Sequence, residues 1–349
     1  MQTEAVIIND ISDEISQNAL KKAGQIIKNG GLVVFPTETV YGLGADATSA
    51  QAAEKIYKAK GRPSDNPLII HIDEPVLAEK YTYTTPLFYK IADAFMPGPI
   101  TVIMKARENI PKTVTAGLDT VAVRCPSHSV ARELIKKAGV PIAAPSANLS
   151  GSPSPTCFKY AYADMNGRVD MIIDGGDSDV GLESTIVKIE EDESLTLLRP
   201  GAVTVEDLKL LCKNIKISDA VLNALKEGQT VLSPGMKYKH YAPKTPFSLL
   251  KGDFSKRLEY ISTQKGRIAV ICYDEEVNSF KKSIPSELVF NFGKKDDLRE
   301  QAKVLFTLLR DADKTDADAI FAALPETNGI GMALYNRMIR AAGHRVIIL

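Results

Sequence analysis

The strongest constraint on the fold is a break in the secondary-structure pattern late in the chain. From Ser233 to Pro246 the sequence SPGMKYKHYAPKTP contains three prolines, one glycine, two tyrosines and four basic residues if His240 is counted. Proline and glycine interrupt helices and strands, so this stretch is typical of a linker. A chain of 349 residues is also longer than one hydrophobic core usually organises. We therefore predict a first domain over residues 1–210, a connecting segment over 211–246 and a second domain over 247–349.

The first domain opens with a helix and continues with closely spaced strands. Apolar residues recur at helical spacing from Glu14 to Lys28, and Gly30-Gly31 separates this helix from a strand over Leu32–Phe35. Further helices are expected over Ala50–Lys60 and Val130–Ala138. Further strands are expected over Leu68–Ile72, Ile100–Met104, Thr120–Arg124, Met171–Ile173, Thr185–Ile189 and Leu195–Leu198. Because several strands follow one another without a helix, we predict an open α/β domain with a twisted, partly antiparallel sheet.

The second domain has a more regular alternation of strands and helices. Its clearest helices are Leu298–Arg310 and Met332–Ala342. Its strands are expected over Phe247–Leu250, Arg267–Tyr273, Glu287–Phe292, Ala319–Ala323 and Val346–Leu349. Alternation of this kind favours a mostly parallel sheet, so we predict a smaller, Rossmann-like α/β domain.

Composition and charge narrow the class of protein. Lys plus Arg and Asp plus Glu both number 43, so no overall basic field indicates nucleic-acid binding. No segment approaches the roughly 20 apolar residues of a membrane span, and Met1–Asp10 lacks a signal-peptide pattern, so we expect a cytoplasmic protein. The cysteines are widely spaced and are expected to be reduced structural thiols, at Cys125, Cys157, Cys212 and Cys272.

The strand over Leu32–Phe35 ends in a polar loop. Pro36 is followed by Thr37, Glu38 and Thr39, which places two hydroxyls and a carboxylate at a strand end, where α/β proteins often bind ligands. An ordinary turn capped by one of the threonines is equally compatible with the sequence.

A glycine pattern in the same region supports a different function. Gly42-x-Gly44-x-x-Ala47 loosely fits a dinucleotide-binding fingerprint, and Asp65 follows at about the spacing of a ribose contact. The fingerprint should come directly after the first strand, whereas Pro36–Tyr41 intervenes here. A nicotinamide-dependent oxidoreductase therefore stays a secondary hypothesis.

Two cations flank a glycine at the end of the helix Ala50–Lys60. Lys60 and Arg62, followed by prolines that stiffen the loop, suit an anionic ligand such as a triphosphate. Alternatively, Lys60 complements the helix C-terminus and Gly61 caps it. In the next strand, His71 could contact a ligand or serve as a structural histidine.

Arg124 is the most informative single residue. Alternation along Thr120–Arg124 places Arg124 on one face with small residues, where it would be partly buried. A buried arginine needs an anion, which could be a protein carboxylate or the carboxylate or phosphate of a ligand.

Small and polar residues form three further candidate ligand loops. Small side chains allow close approach to the backbone, and hydroxyl and amide groups can bind phosphate or ribose. These loops are Ala143–Ser154, Gly181–Thr185 and Leu198–Gly201. Each is also compatible with an ordinary polar loop. The sequence has no Walker-type phosphate loop, zinc-protease motif, nucleophile elbow or kinase signature.

Taken together, these motifs resemble the threonylcarbamoyl-AMP synthase family in its long, two-domain form. The matching motifs, in chain order, are PTETVYGLG at 36–44, KGRPxxNPL at 60–68, APSANxSG at 144–151 and STIV…RPG at 184–201. The linker and a second domain follow them, as in the family. The resemblance implies a YrdC-like catalytic domain followed by the smaller C-terminal domain.

The resemblance also implies the reaction. Such enzymes condense L-threonine, bicarbonate or carbon dioxide, and ATP into threonylcarbamoyl-AMP and pyrophosphate. Other proteins then transfer the threonylcarbamoyl group to an adenosine beside the anticodon of tRNA. The implied partners are therefore these substrates and, transiently, the downstream transferase complex and tRNA, with no membrane.

Site residues follow from the same resemblance. The residues expected to bind L-threonine are Thr39, His71, Arg124 and Ser184. The residues expected to bind ATP are Lys60, Arg62, Asn66, Thr120, Ser146, Ser154, Arg199 and Tyr241. The linker residues Lys237–Tyr241 could form a lid, or merely a solvated connector. Mg²⁺ is expected on the ATP phosphates, with no protein ligand.

We expect catalysis to depend on alignment and charge neutralisation, because a carbamate is already an anion and needs no strong base when it attacks phosphorus. The alternative from a different class is a non-catalytic RNA-binding module, which would show a clustered basic excess. The sequence has no such excess.

Overall fold

The computed structural model describes residues 2–223 and 240–349. By their contacts, these residues divide into two compact units. The first unit contains residues 2–150 and 154–223, and the second contains 151–153 and 240–349. The predicted domain limits at 210 and 246 stay a prediction. No helix in the described ranges is long and apolar enough to cross a membrane.

The first unit is built on an eleven-stranded mixed sheet. Its strands are β1 (Glu4–Ile7), β2 (Val33–Phe35), β3 (Gly42–Asp46), β4 (Ile69–His71), β5 (Ile100–Lys105), β6 (Thr120–Arg124), β7 (Ile142–Ala143), β8 (Met171–Asp174), β9 (Thr185–Ile189), β10 (Leu195–Arg199) and β11 (Ile215–Ile217). Their order in the sheet is β1-β8-β2-β3-β7-β4-β6-β5-β9-β10-β11. The pairs β2/β3 and β5/β6 are antiparallel, whereas β4/β6 and β5/β9 are parallel. The prediction of a mixed α/β sheet is confirmed.

Helices cover the sheet of the first unit. They are α1 (Glu14–Lys28), α2 (Ala50–Lys60), α3 (Pro86–Phe95), α4 (Lys112–Thr115), α5 (Ser129–Ala138), α6 (Phe158–Met165) and α7 (Val205–Lys209), with 3₁₀ turns at Pro75–Lys80 and Asp219–Val221. Asp13 caps α1 by accepting a hydrogen bond from the backbone N–H of Ser16 at 2.7 Å. The buried face of α1 includes Leu20 and Ile27, which belong to one core cluster with Leu134 of α5.

The second unit contains a five-stranded sheet in which the paired strands are parallel. Its strands are β12 (Phe247–Lys251), β13 (Ile268–Cys272), β14 (Val289–Asn291), β15 (Ala319–Ala323) and β16 (Val346–Ile348). Its helices are α8 (Phe254–Ser262), α9 (Asp274–Phe280), α10 (Leu298–Ala312) and α11 (Gly331–Ala341), with a 3₁₀ turn at Ser286–Leu288. The strand order is β14-β13-β15-β12-β16. The predicted parallel α/β architecture is confirmed.

The prediction of a dinucleotide-binding loop at Gly42 and Gly44 is wrong. Its glycines lie within strand β3, which pairs with β2 and β7, rather than in a loop that opens a helix. A Cβ atom added at Gly44 would lie 2.7 Å from Ile142 Cγ2 and 2.8 Å from Phe35 Cε1. Gly44 is therefore explained by close packing within the sheet.

Replacing Gly44 with alanine should destabilise the first unit by about 1–3 kcal/mol, because the added methyl group overpacks the neighbouring strands. Urea unfolding followed by circular dichroism measures this loss. A suitable control is Ala163→Gly, at an exposed position in α6, where about 1 kcal/mol or less is expected. A fully stable Gly44→Ala protein would contradict the packing explanation.

Candidate active site in the first unit

A buried ion pair joins two of the sequence motifs. Arg124 ends β6, and its Nη2 donates to Oε1 of Glu38 at 2.7 Å. The side chains of Arg124 and Glu38 are 5% and 7% exposed. The sequence analysis allowed either a protein carboxylate or a ligand anion as the partner of Arg124. The structure contains the protein carboxylate, that of Glu38. Arg124 Nε and Glu38 Oε2 have no hydrogen-bond partner among the described residues.

The strands beside β6 bring three more predicted residues into the same group. His71 of β4 is the register partner of Arg124, and Thr101 of β5 is its partner on the other side. Thr101 Oγ1 lies 2.7 Å from Ser184 Oγ. Arg199 donates from Nε to the Ser184 carbonyl at 3.0 Å and from Nη2 to Ser184 Oγ at 3.1 Å. His71, Arg124, Ser184 and Arg199 are therefore connected through neighbouring strands.

His71 is a neutral member of this group. Its Nδ1 lies 3.2 Å from the Ile69 carbonyl oxygen, and its ring meets that of Phe35 edge-on. Burial, and secondly the positive charge of Arg124, lowers the pKa of His71 to about 3. His71 can therefore exchange hydrogen bonds with a ligand without adding positive charge at neutral pH.

The His71 imidazole should remain neutral from pH 8 down to about pH 5. Its folded-state pKa lies below its ordinary value of 6.5, so it contributes stability at high pH that is lost as the pH falls from 6.5 towards 3. Nuclear magnetic resonance of histidine-labelled protein measures the titration, and His71→Gln assigns the resonance by removing it. A His71 resonance that titrates near pH 6.5 would contradict this environment.

The polar loop after β2 contains the turn that the sequence allowed. Thr37 Oγ1 accepts from the N–H groups of Thr39 and Val40, each at 3.2 Å, and donates to the Val40 carbonyl at 2.6 Å. Thr39 Oγ1 lies 3.0 Å from Thr37 Oγ1. This turn fixes the backbone on either side of Glu38. The role of Thr39 in binding L-threonine stays a prediction.

Lys60 connects α2 to the small-residue loop after β7. The helix ends at Gly61, whose φ of 61° is the left-handed conformation that glycine adopts readily, so the alternative of a glycine cap is confirmed. Lys60 Nζ donates to the carbonyls of Ser146 at 2.5 Å and Asn148 at 2.6 Å. Lys60 and Ser146 thus lie together, and their contact with ATP stays a prediction.

Arg62 and Asn66 lie in the loop that leads to β4. Arg62 Nη2 donates to the carbonyls of Asn66 at 3.2 Å and Pro67 at 3.4 Å. Asn66 is fully buried, and its side-chain amide atoms have no hydrogen-bond partner within the described part of the chain. A buried amide with unused donors and acceptors is compatible with ligand binding, which stays a prediction for both residues.

Thr120 belongs to the opposite end of β6 from Arg124. The parallel register pairs Ile69 with Ala122 and His71 with Arg124, so Thr120 lies beyond the N-terminal end of β4. Four residues along a strand correspond to about 13 Å, so Thr120 does not lie in the ion-pair group. It lies instead towards the end of the sheet at which the loop containing Arg62 and Asn66 enters β4.

Ser154 contacts the loop that precedes β9. Its Oγ donates to Oε1 of Glu183 at 2.5 Å, and both side chains are buried. Glu183 immediately precedes Ser184. Ser154 is therefore held next to the Ser184 segment, and its role with ATP stays a prediction.

Tyr241 belongs to the second unit. Its φ is 63°, its ring stacks on Phe306 with centroids 5.1 Å apart, and the Arg337 guanidinium lies 5.7 Å from its centroid. The predicted lid residues at 237–239 lie outside the described residues. The contact between Tyr241 and ATP and the lid itself stay predictions.

Three polar residues in these networks were not predicted. Thr101, Asn148 and Glu183 contact Ser184, Lys60 and Ser154 respectively. Thr101 could have been noticed as a hydroxyl inside the otherwise apolar run Ile100–Met104. The other two lie in loops that the sequence did identify, but their partners are distant in sequence.

The described residues contain neither a candidate metal site nor a disulfide. They contain no group of three or more His, Cys, Asp or Glu side chains placed to hold a metal ion. None of the four cysteines forms a disulfide. A Mg²⁺ ion bound through ATP therefore stays a prediction.

Comparisons with known proteins cover nearly the whole chain. A family model described as telomere recombination matches residues 25–201. A second, described as the threonylcarbamoyl-AMP synthase C-terminal domain, matches residues 203–343.

Curated relatives and solved structures agree with these matches. The threonylcarbamoyl-AMP synthase of Bacillus subtilis is 40% identical over 97% of both chains. That of Pyrococcus abyssi is 39% identical over 98% of this chain and 99% of its own. A crystal structure of P. abyssi Sua5 in complex with L-threonine has 38% identity and a TM-score of 0.90, and covers 99% of this chain and 100% of the other.

Proposed function

The chain belongs to the threonylcarbamoyl-AMP synthase family, and from that premise we propose that its first unit binds L-threonine and ATP through the residues described above. The enzyme joins L-threonine, bicarbonate or carbon dioxide, and ATP into threonylcarbamoyl-AMP, and releases pyrophosphate.

The connected group around Arg124 is the observation that carries this proposal. It combines a buried arginine, a neutral histidine and the Ser184 hydroxyl at the ends of adjacent strands. A small amino acid needs such a mixture of a charged anchor and neutral hydrogen-bonding groups. The related P. abyssi protein was crystallised with L-threonine, which supports L-threonine as a ligand of this chain.

In the proposed reaction, the threonine amine first becomes a carbamate. A carbamate oxygen then attacks the α-phosphorus of ATP, a new P–O bond forms, and the bond to the β-phosphate oxygen breaks as pyrophosphate leaves. Arg124 would hold the threonine carboxylate, while Lys60, Arg62 and Arg199 would face the phosphates. Positioned cations stabilise the charge that develops on transferring phosphoryl groups, so no separate catalytic base is needed at this step.

ATP would bring Mg²⁺ to the site. When bound, the ion supplies charge neutralisation to the triphosphate, which is its usual role with nucleotides. Chelation with EDTA should therefore stop pyrophosphate release, and added Mg²⁺ should restore it.

The product must pass to another protein. Threonylcarbamoyl-AMP is a mixed anhydride and a reactive acyl donor, so it suits rapid transfer to a nucleophile. We propose that a downstream transferase complex moves the group to an adenosine of tRNA in the cytoplasm, where ATP and tRNA are both present.

Pyrophosphate release tests the proposed function. ATP should yield pyrophosphate when L-threonine and bicarbonate are both present, and at a small fraction of that rate when either is omitted. L-Serine and L-valine serve as matched amino acids that lack the methyl group or the hydroxyl. Equal release without L-threonine would contradict the proposed substrate.

A further inference from the structure

We propose that Glu38 binds the ammonium group of L-threonine and accepts one proton from it before the carbamate forms. This inference rests on the proposed function, because it requires L-threonine to lie beside Arg124. It assigns a catalytic role to a residue that the sequence motifs identified only as part of a polar loop.

The first observation is the incomplete hydrogen bonding of a buried ion pair. Arg124 Nη2 and Glu38 Oε1 satisfy each other at 2.7 Å. Glu38 Oε2 and Arg124 Nε have no hydrogen-bond partner among residues 2–223 and 240–349, although both side chains are more than nine-tenths buried. Buried charged atoms without partners are costly, so such atoms are expected to meet a ligand.

The second observation is the chemistry of these two atoms. One is an anionic acceptor and the other a cationic donor, held together in a single ion pair. An α-amino acid presents the complementary groups, since its ammonium donates and its carboxylate accepts. The pair of Glu38 and Arg124 therefore matches both ends of the amino-acid zwitterion.

The surroundings favour Glu38 over other groups for the ammonium. His71 and the hydroxyls of Ser184 and Thr39 are neutral hydrogen-bonding groups, and Arg199 repels a cation. Glu183, a buried glutamate that immediately precedes Ser184, accepts a hydrogen bond from Ser154. Among the described residues, Glu38 is the carboxylate that contacts Arg124.

The backbone also holds Glu38 in place. The N–H of Val180 donates to the Glu38 carbonyl at 2.8 Å, and the Thr37 side chain closes a turn across the residue. Both neighbours, Thr37 and Thr39, are buried. A carboxylate fixed in this way is preorganised for a ligand rather than recruited from a mobile loop.

Proton transfer from the ammonium group to Glu38 precedes formation of the carbamate. One N–H bond of the ammonium breaks, its electron pair stays on nitrogen, and the proton moves to Glu38 Oε2. The amine lone pair then forms a bond to the carbon of carbon dioxide, one carbon–oxygen π pair moves to oxygen, and a second N–H proton passes to water. The product is the carbamate anion, and Glu38 returns its proton to solvent after the reaction.

The test compares two ligands and two variants by isothermal titration calorimetry. Glu38→Gln keeps an oxygen that can accept from Arg124 and removes the negative charge. L-Threonine should bind this variant at least 10-fold more weakly than wild type. 3-Hydroxybutanoate, which has the carboxylate and hydroxyl but no amine, should bind both proteins equally or should bind the variant more tightly.

Glu276→Gln is the matched control. Glu276 forms an equally buried ion pair with Arg257 in the second unit. Its replacement should leave the affinity for both ligands unchanged. If Glu38→Gln weakened both ligands by the same factor, or left L-threonine binding unchanged, Glu38 would be a structural partner of Arg124 and the inference would be wrong.

If Glu38→Gln does not fold, the ligand preference of the wild-type protein tests the ammonium contact. Wild type should prefer L-threonine to 3-hydroxybutanoate by at least 10-fold, and equal affinity would overturn the ammonium contact. Pyrophosphate release by the wild-type protein distinguishes failure of the proposed function from failure of the role of Glu38. No release refutes the proposed function. Normal release, together with unchanged L-threonine binding by Glu38→Gln, refutes the role of Glu38 alone.

Discussion

The substitution Arg199→Ala is expected to slow pyrophosphate release about 100-fold or more. Loss of one preorganised donor that stabilises developing charge typically lowers the turnover rate by a factor of this size. Arg199 ends β10, is 6% exposed, and is aligned by two hydrogen bonds to Ser184. These bonds hold the guanidinium in one orientation before any substrate arrives. The effect should appear in kcat, measured by continuous detection of pyrophosphate at saturating L-threonine and ATP.

A stability measurement must accompany this assay. Loss of the hydrogen bonds to Ser184 in Arg199→Ala should cost about 1–3 kcal/mol in free energy of unfolding. Arg168→Ala is the control, since Arg168 is an exposed arginine of the same unit. It should retain nearly full activity. A variant at position 199 with more than half of wild-type activity would refute the catalytic role, and a loss explained entirely by unfolding would make Arg199 structural.

Arg124→Ala is expected to destabilise the first unit by about 3–5 kcal/mol, because it leaves the buried Glu38 carboxylate without its counter-charge. Urea unfolding at neutral pH, followed by circular dichroism, measures the loss. The same substitution should abolish measurable L-threonine binding. Replacing both Arg124 and Glu38 with leucine should recover much of the stability, since no buried charge is then left alone.

A partly exposed ion pair provides the contrast. Lys188 and Glu190 lie 2.6 Å apart, with side chains 27% and 28% exposed. Lys188→Ala should cost about 1 kcal/mol or less, because solvent screens this pair. If Arg124→Ala were no more damaging than Lys188→Ala, the ion pair with Glu38 would not be a significant part of the fold.

Long periodic segments were predicted well because their patterns are local. The helices Glu14–Lys28 and Ala50–Lys60 and the strand Thr120–Arg124 have the predicted bounds. Strand β7 has only two residues, too few to show a period of two. The glycines of strand β3 were misinterpreted as a dinucleotide-binding motif. Gly44 is required by close packing against Phe35 and Ile142, which lie outside that motif, so no local motif reveals its role.

The site could be predicted only in part for a similar reason. The sequence indicated that Arg124 needs an anion, and Glu38 was visible at a strand end. Their contact joins residues separated by 86 positions, which no local pattern specifies. The contact of Lys60 with the carbonyls of Ser146 and Asn148 likewise depends on how strands β4 and β7 pair.

The most direct test of the central claim is the mass of the nucleotide product formed with ¹³C-bicarbonate. Wild-type protein, ATP and L-threonine should give threonylcarbamoyl-AMP that is one mass unit heavier than the unlabelled product, with equimolar pyrophosphate. This result would show that the carbon of bicarbonate joins the threonine nitrogen to the adenylate. An unlabelled threonyl adenylate, or pyrophosphate release without any carbon from bicarbonate, would contradict the account.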